Sequence, residues 1–320
     1  MDWTPVLALA NRTLVTPALA AALQGKPGVP TGVHVFLTHI AARTTERNVL
    51  MKRQLVEAVQ ALSNGGVTPI LIKGAAFLAT CQPVSVNRLS TDLDLVIPAD
   101  AAEISWGILQ SIGYRAQAPS AARGAGLSFE RDSDVGEVDI HYCLRSFENW
   151  PTYDVLEPFC IRTELAGAAI LMPSASLHAA ILIAHDQLQE RDYWRGLIDL
   201  RHLVDLREFV AGAGSLDSAT LDAFFFTGRS RRALKTQLRT LEQLLPLAPL
   251  RNLEGSAWAR LQCNRRFWQI GRPQMMHLLT AATLLLDPPI LTRRMRPLEE
   301  RRERAQYLKR MFSAKKPNKV

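Results

Sequence analysis

Residues 88–97 read RLSTDLDLVI: an arginine, two hydroxyl residues, two aspartates one residue apart, then an apolar run. In a strand, alternate side chains point to the same face, so Asp92 and Asp94 share one face while Leu93 and Leu95 occupy the other. Carboxylates this close raise each other's pKa unless a cation neutralises them. A divalent metal is the natural cation, because Mg²⁺ takes hard oxygen ligands and is commonly held by one or two carboxylates together with substrate phosphates. The same Asp-x-Asp spacing recurs at Asp132 and Asp134, in RDSDVGE, where the polar, turn-like setting reads as a solvated loop. What sets Asp92 and Asp94 apart is the apolar strand behind them and a third acid, Asp139, in the later strand-like run EVDIH. Three carboxylates converging from two neighbouring strands can hold two metals about 3.5–4 Å apart, the arrangement that assists phosphoryl transfer.

Upstream lies ILIKGAAF, residues 70–77. The expectation is a buried strand ending at Lys73, a sharp turn at Gly74, and a helix whose N-terminus is presented at the strand's end as an anion site. No G-x-x-x-x-G-K-[ST] occurs, and Gly124-Ala-Gly126 lacks the third glycine of a dinucleotide fingerprint. Lys73 and a bound metal would then offset the aspartates, with a triphosphate spanning the two halves.

Outward from this core the pattern is helical on both sides. Residues 1–62 show helical apolar spacing in VLALANRTLVTPALAAAL and VHVFLTHIAARTTERNVLMKRQLVEAVQALSN, separated by QGKPGVPTG. After NGG come short β-branched runs, TPILIK, LDLVIP, GLSFERD and EVDIHYCL, with helical segments GAAFLATCQ and ADAAEISWGILQSIGY between them. From about Ser174 the spacing is helical again. The reading is an α+β chain: a helical region 1–62, a sheet core 63–173, a helical domain 174–292 and a basic tail 293–320.

The tail RRMRPLEERRERAQYLKRMFSAKKPNKV holds 11 Lys and Arg against 3 Glu, which accounts for the +8 of the whole chain. Leu298, Ala305, Leu308 and Phe312 fall along one helical side, so the tail reads either as a solvated last helix or as a basic amphipathic helix for anionic lipid, nucleic acid or an acidic partner. The apolar stretch 275–291, MMHLLTAATLLLDPPIL, contains His277 and Asp287 and is broken by Pro288 and Pro289 before the roughly 20 residues a span needs. A buried helix is expected there. The N-terminus begins with an acid and lacks the positive region of a signal peptide, and the four cysteines show no C-x-x-C. These features give a cytoplasmic expectation, with peripheral membrane contact through the tail as its variant.

Strand, K-G, helix, an arginine, [ST]-D-x-D-L-hydrophobic and, some 45 residues on, hydrophobic-D-hydrophobic-H together resemble the sparsely characterised nucleotidyltransferase family of the DNA polymerase β superfamily. The residues that carry the likeness are Lys73, Gly74, Ala75, Arg88, Asp92, Asp94, Leu95, Asp139 and His141. It extends to the N-terminal helical region and to the His-containing helix followed by WRGLIDLRHLVDL. The resemblance implies a polymerase-β-like sheet core and a metal-dependent transfer of a nucleoside monophosphate from an NTP, such as ATP, to an acceptor hydroxyl or phosphate with release of pyrophosphate. It implies Mg²⁺ or Mn²⁺ held by Asp92, Asp94 and Asp139, the last as ligand or base. Lys73, Gly74, Ala75, Arg88, Ser90 and Thr91 would lie about the phosphates, and His141, His185 and Arg195 toward substrate. The acceptor class, whether small molecule, peptide, saccharide or RNA, is not named by any segment. One departure is visible: the wider superfamily carries Gly-Ser after the first strand, whereas this chain has Gly74-Ala75 preceded by Lys73, so its phosphate grip differs.

Plainer readings stand beside these. Lys73 is also a plausible solvated strand end, and Arg88 a structural partner of Asp92. His141, on the face of Asp139, binds metal or substrate or is a buried histidine satisfied by a carbonyl. His178 and His185, seven apart, would share a helical face; Arg195 and Asp199, four apart, would staple one helix. The segment GSAWARLQCNRRFWQIG reads as core with a basic fringe. Two rival functions remain on the sequence: a catalytically degenerate nucleotide-binding protein, and a nucleic-acid or membrane adaptor acting through the basic tail.

Overall fold

From Val33 to Asn64 the chain carries neither glycine nor proline, and it forms one helix, α3 (Thr31–Asn64). Its buried positions Leu37, Thr44, Asn48, Met51, Leu55, Ala58, Val59 and Leu62 recur at threes and fours, so one stripe faces inward along most of its length. The N-terminal segment expected as one helix is two, α1 (Thr4–Arg12) and α2 (Thr16–Leu23). Leu14 turns the chain at φ +59°, and Pro17 sits in the first turn of α2, where its missing N–H costs nothing.

This computed structural model describes residues 1–80, 87–117, 126–247 and 256–289. The basic tail 293–320, Cys81 and Gly124 lie outside the described residues. Two compact units emerge, one of Met1–Arg145 with Trp150–Ile181, the other of Ser146–Asn149 with the described residues from Leu182 onward. Among the described residues no helix is long and apolar enough to cross a membrane.

The first unit is built on a seven-stranded mixed sheet in the order β3-β4-β5-β2-β1-β7-β6. Its strands are β1 (Ile70–Leu71), β2 (Asp92–Val96), β3 (Arg115–Ala116), β4 (Gly126–Glu130), β5 (Glu137–His141), β6 (Cys160–Leu165) and β7 (Ala168–Pro173). Helix α4 (Lys73–Ala79) follows β1 and α5 (Ala102–Ser111) follows β2, as the spacing predicts. Leu93, Leu95, Val138 and Ile140 pack with Met51, Leu55, Ala58 and Leu62 of α3 and with Phe129. The apolar half of the β2 alternation is therefore the floor of the core. The hairpin β6–β7 was not legible as strands. Its two turn residues, Ala166 and Gly167, both have positive φ (+52° and +81°), as a tight two-residue hairpin turn requires. An alanine in the first of them hides the usual Asn-Gly signal.

After α6 (Tyr153–Leu156) and α7 (Ala175–Ala184), a π-helical turn His185–Gln189 leads into the helices of the second unit. These are α8 (Asp192–Arg195), α9 (Leu200–Ala213), α10 (Ser218–Phe224), α11 (Gly228–Leu244), α12 (Ala257–Ile270) and α13 (Met276–Leu286). Asp199, Asp217, Thr227 and Ser256 cap α9, α10, α11 and α12, each side chain accepting a backbone N–H of the first turn.

Two expectations are corrected in this unit. The basic fringe of α12 turns inward: Arg266 is fully buried and donates to Gln237, Thr240 and Gln187, while Arg265 donates to Gln262, Thr283 and the Trp194 carbonyl. Burial, then the neighbouring Arg266, pushes the Arg265 guanidinium down to about 10. Helix α13 is not buried all round either. Leu278, Leu285 and Leu286 are exposed and its buried residues are Thr280 and Thr283, because its inward side meets the polar Arg265.

Truncating Leu93→Ala removes a fully buried side chain from beneath the acid-bearing strand. The expected cost is about 2–5 kcal/mol, read as a lowered urea midpoint with an unchanged slope.

Candidate functional site

The acid strand is placed by its neighbours. β2 runs parallel to β5 in a register that sets Asp92 beside Glu137, Asp94 beside Asp139 and Val96 beside His141. β4 flanks β5 antiparallel with Ser128 opposite Asp139 and Gly126 opposite His141. Asp94, Asp139, His141 and Ser128 thus share the sheet face opposite the apolar core.

At the centre is Asp94, only 1% exposed. Its Oδ1 accepts from the Lys73 ammonium at 2.9 Å and lies 2.9 Å from His141 Nε2. Its Oδ2 is buried with no hydrogen-bond partner among the described residues. Asp139 accepts from the Ser128 hydroxyl. Ligand atoms of Asp94, Asp139 and His141 all lie within 4.8 Å of one another. Asp92, at the half-buried strand entry, accepts from the Thr91 hydroxyl at 3.1 Å.

The two central carboxyls are driven apart. Burial would raise Asp94, but Lys73 and His141 outweigh it and hold the carboxyl far below the usual range. Burial pushes Asp139 up, Ser128 opposes this, and the charge on Asp94 adds to the rise. Burial would lower the Lys73 ammonium, yet Asp94 and then Asp92 keep it above its ordinary value. The donor set suits a divalent cation: two carboxylates and an imidazole converge, and a buried carboxylate oxygen on Asp94 has no hydrogen-bond partner among the described residues.

The turn before α4 differs from the sequence reading. Lys73, not Gly74, takes the left-handed conformation, at φ +49°. Gly74 serves close approach: a Cβ there would lie 3.0 Å from Arg88 Nη1 and 3.3 Å from the Asp92 carbonyl. Ala75 is buried, its N–H donating to the Ile72 carbonyl at 3.2 Å. Arg88 lies over the Phe77 ring, 5.2 Å from its centroid, and donates to the buried Ser90 hydroxyl at 3.5 Å.

Two residues of this site went unremarked in the sequence. Asn48 donates to the Arg88 carbonyl at 2.7 Å and accepts from the Ser90 N–H, while Arg47 donates to the carbonyls of Ser90 and Val135. They tie the loops before β2 and β5 to α3. The available signal was a polar asparagine in the apolar spacing of that helix.

His185 and Arg195 fall in the second unit. His185 opens the π-turn that follows α7, and His178 within α7 packs against Phe77. His185 Nδ1 lies 3.3 Å and His202 Nδ1 2.7 Å from Asp186 Oδ1, a cluster whose Asp186 and His202 the sequence reading missed. Burial would lower His202, but Asp186 and Asp199 hold it raised. Arg195 ends α8 and is buried, its carbonyl accepting from Gln269. Arg195 and Asp199 do not staple one helix, because Gly196 at φ +67° ends α8 and Asp199 caps α9.

A family model described as an uncharacterised nucleotidyltransferase matches residues 1–246. Comparison with curated proteins gives no match. Similar solved structures include the antibiotic-resistance factor ANT(2″)-Ia in solution, at 15% identity and a TM-score of 0.40, covering 62% of this chain and 97% of that one. Another is an antigenic nucleotidyltransferase-like protein from Paracoccidioides brasiliensis, at 16% identity and a TM-score of 0.38, covering 74% and 94%.

Asp94→Asn leaves the Lys73 ammonium, 18% exposed, without its hydrogen-bonded carboxylate. Breaking such a buried pair is expected to cost about 3–5 kcal/mol in metal-free protein at neutral pH. Since the folded-state pKa of Asp94 is depressed, that advantage of the wild type is full above the unfolded carboxylate value of about 3.9 and shrinks as the pH falls below it. Urea titrations of both proteins in EDTA between pH 7 and pH 2.5 check the sign; a constant difference across that range would refute it.

Proposed function

The chain belongs to this nucleotidyltransferase family, and from that premise we propose that it transfers a nucleoside monophosphate from a nucleoside triphosphate to an acceptor oxygen, releasing pyrophosphate. The observation that carries the reading is the convergence of Asp94, Asp139 and His141 on one sheet face, with Lys73 against Asp94 and Asp92 at the strand entry. Asp92, Asp94 and Asp139 would hold Mg²⁺ or Mn²⁺. A divalent cation bound there neutralises the carboxylates and the triphosphate and stabilises charge on the transferring phosphoryl group.

The chain's own residues supply position and charge, which is most of what phosphoryl transfer asks of a protein. Lys73 offers its ammonium to the triphosphate from the turn before α4, and Arg88 guards the opposite side of Gly74. The acceptor oxygen forms a bond to the α-phosphorus as the bond from that phosphorus to the α,β-bridging oxygen breaks, and pyrophosphate leaves with the electron pair. The acceptor proton passes to Asp139, the carboxylate beside Asp94 on β5. Ser128, hydrogen-bonded to Asp139, fixes its orientation.

Calorimetry of ATP, GTP, CTP and UTP with Mg²⁺, with Mn²⁺ and with EDTA is expected to show metal-dependent binding of at least one nucleotide. The double variant Asp92→Asn/Asp94→Asn should weaken that binding at least 100-fold, about the upper loss seen on removing outer partners of metal sites. Asp139→Asn should lower pyrophosphate release about 10²–10⁴-fold, the usual worth of a positioned general base. A folded wild type that binds none of the four nucleotides with either metal would overturn the reading.

A further inference from the structure

We propose that His141 is an inner ligand of the cation and that this site consequently prefers a divalent transition ion, Mn²⁺ or Co²⁺, to Mg²⁺. The inference rests on the metal-dependent reading above and adds the identity of one ligand and of the ion.

Three observations support it. First, the ligand atoms that converge within 4.8 Å on this sheet face are those of Asp94, Asp139 and His141, a mixed nitrogen and oxygen set, whereas the sequence pointed to three carboxylates. Secondly, His141 Nε2 lies 2.9 Å from Asp94 Oδ1. An octahedral ion with ligands about 2.1 Å away has adjacent ligand atoms about 3.0 Å apart, so this pair already has the spacing of one coordination edge. Thirdly, the ring's place is fixed by the fold. His141 ends β5, paired with Val96 of β2 on one side and with Gly126 of β4 on the other. At Gly126 a Cβ would lie 2.0 Å from the Ile140 carbonyl oxygen, so β4 approaches the histidine strand more closely than a side chain there would allow.

An imidazole nitrogen changes the ranking of ions. Mg²⁺ is a hard cation that favours oxygen and keeps its waters, whereas nitrogen donors are accepted increasingly from Mn²⁺ to Co²⁺ along the first-row series.

The test uses the full chain without nucleotide. Calorimetric titrations with MnCl2, CoCl2 and MgCl2 are run on the wild type and on His141→Gln, and pulsed electron paramagnetic resonance of the Mn²⁺-loaded proteins looks for ¹⁴N coupling. The expected results are tighter binding of Mn²⁺ and Co²⁺ than of Mg²⁺, ¹⁴N modulation in the wild type, and its loss in His141→Gln. Transition-ion affinity should fall at least tenfold in that variant and Mg²⁺ affinity less, with circular dichroism showing the fold retained. Should His141→Gln not fold, the wild-type spectrum alone decides. Tight Mn²⁺ binding without nitrogen coupling, or a preference for Mg²⁺, overturns this inference and leaves the transferase reading standing. No binding of any of the three ions, with nucleotide or without, overturns both.

Discussion

A carboxylate taken to 1% exposure on a central strand is the constraint around which the first unit is arranged. Removing an ion from water costs several kcal/mol, so Asp94 is tolerated only where positive charge and hydrogen bonds are brought to it. Lys73 comes from the start of α4, just after β1 on one side of β2, and His141 from β5 on the other side. Two groups from either side of β2 thus meet at one oxygen, and the second oxygen has no hydrogen-bond partner among the described residues. A buried charge satisfied on one side only is poor design for stability and good design for binding.

Much of this core was legible in the sequence. Alternation in DLDLV assigns the acids and the leucines to opposite faces without knowledge of the partners, and the K-G turn followed by helix is local. The α+β class follows from the order of helical and strand-like runs, and the resemblance carried by these motifs implies the nucleotidyltransferase family to which the chain belongs. What was not legible is non-local. Nothing in EVDIH says that it lies parallel to DLDLV in the register that puts Asp139 beside Asp94, and nothing in the long helix says that Asn48 will hold the Arg88 carbonyl. The turn at Lys73 was misassigned because a glycine adjoined it, and positive φ is ordinarily glycine's province.

The second unit shows a different failure of pattern reading. Binary patterning assigns arginines to the surface, yet Arg266 is wholly buried among Gln187, Gln237 and Thr240. Asp287, 3% exposed, receives Arg232, Tyr193 and Arg229. Polar networks of this kind are specified by partners 26 to 94 residues apart, so no window of local sequence contains them. Caps, by contrast, are local, and Asp199, Asp217, Thr227 and Ser256 announce their helices plainly.

Strand order carries a consequence for how the chain is made. β1 pairs with β2 on one edge and with β7 on the other, Ile70 against Leu171. A chain emerging from the ribosome can bring Lys73 to Asp94 early, but β1 keeps an unpaired edge until residues 168–173 have been synthesised. During that interval a two-residue strand of isoleucine and leucine is open to foreign pairing. Its brevity, Ile70–Leu71, leaves few N–H and C=O groups for another chain to seize, and in the biogenesis of this protein the short strand is a safeguard.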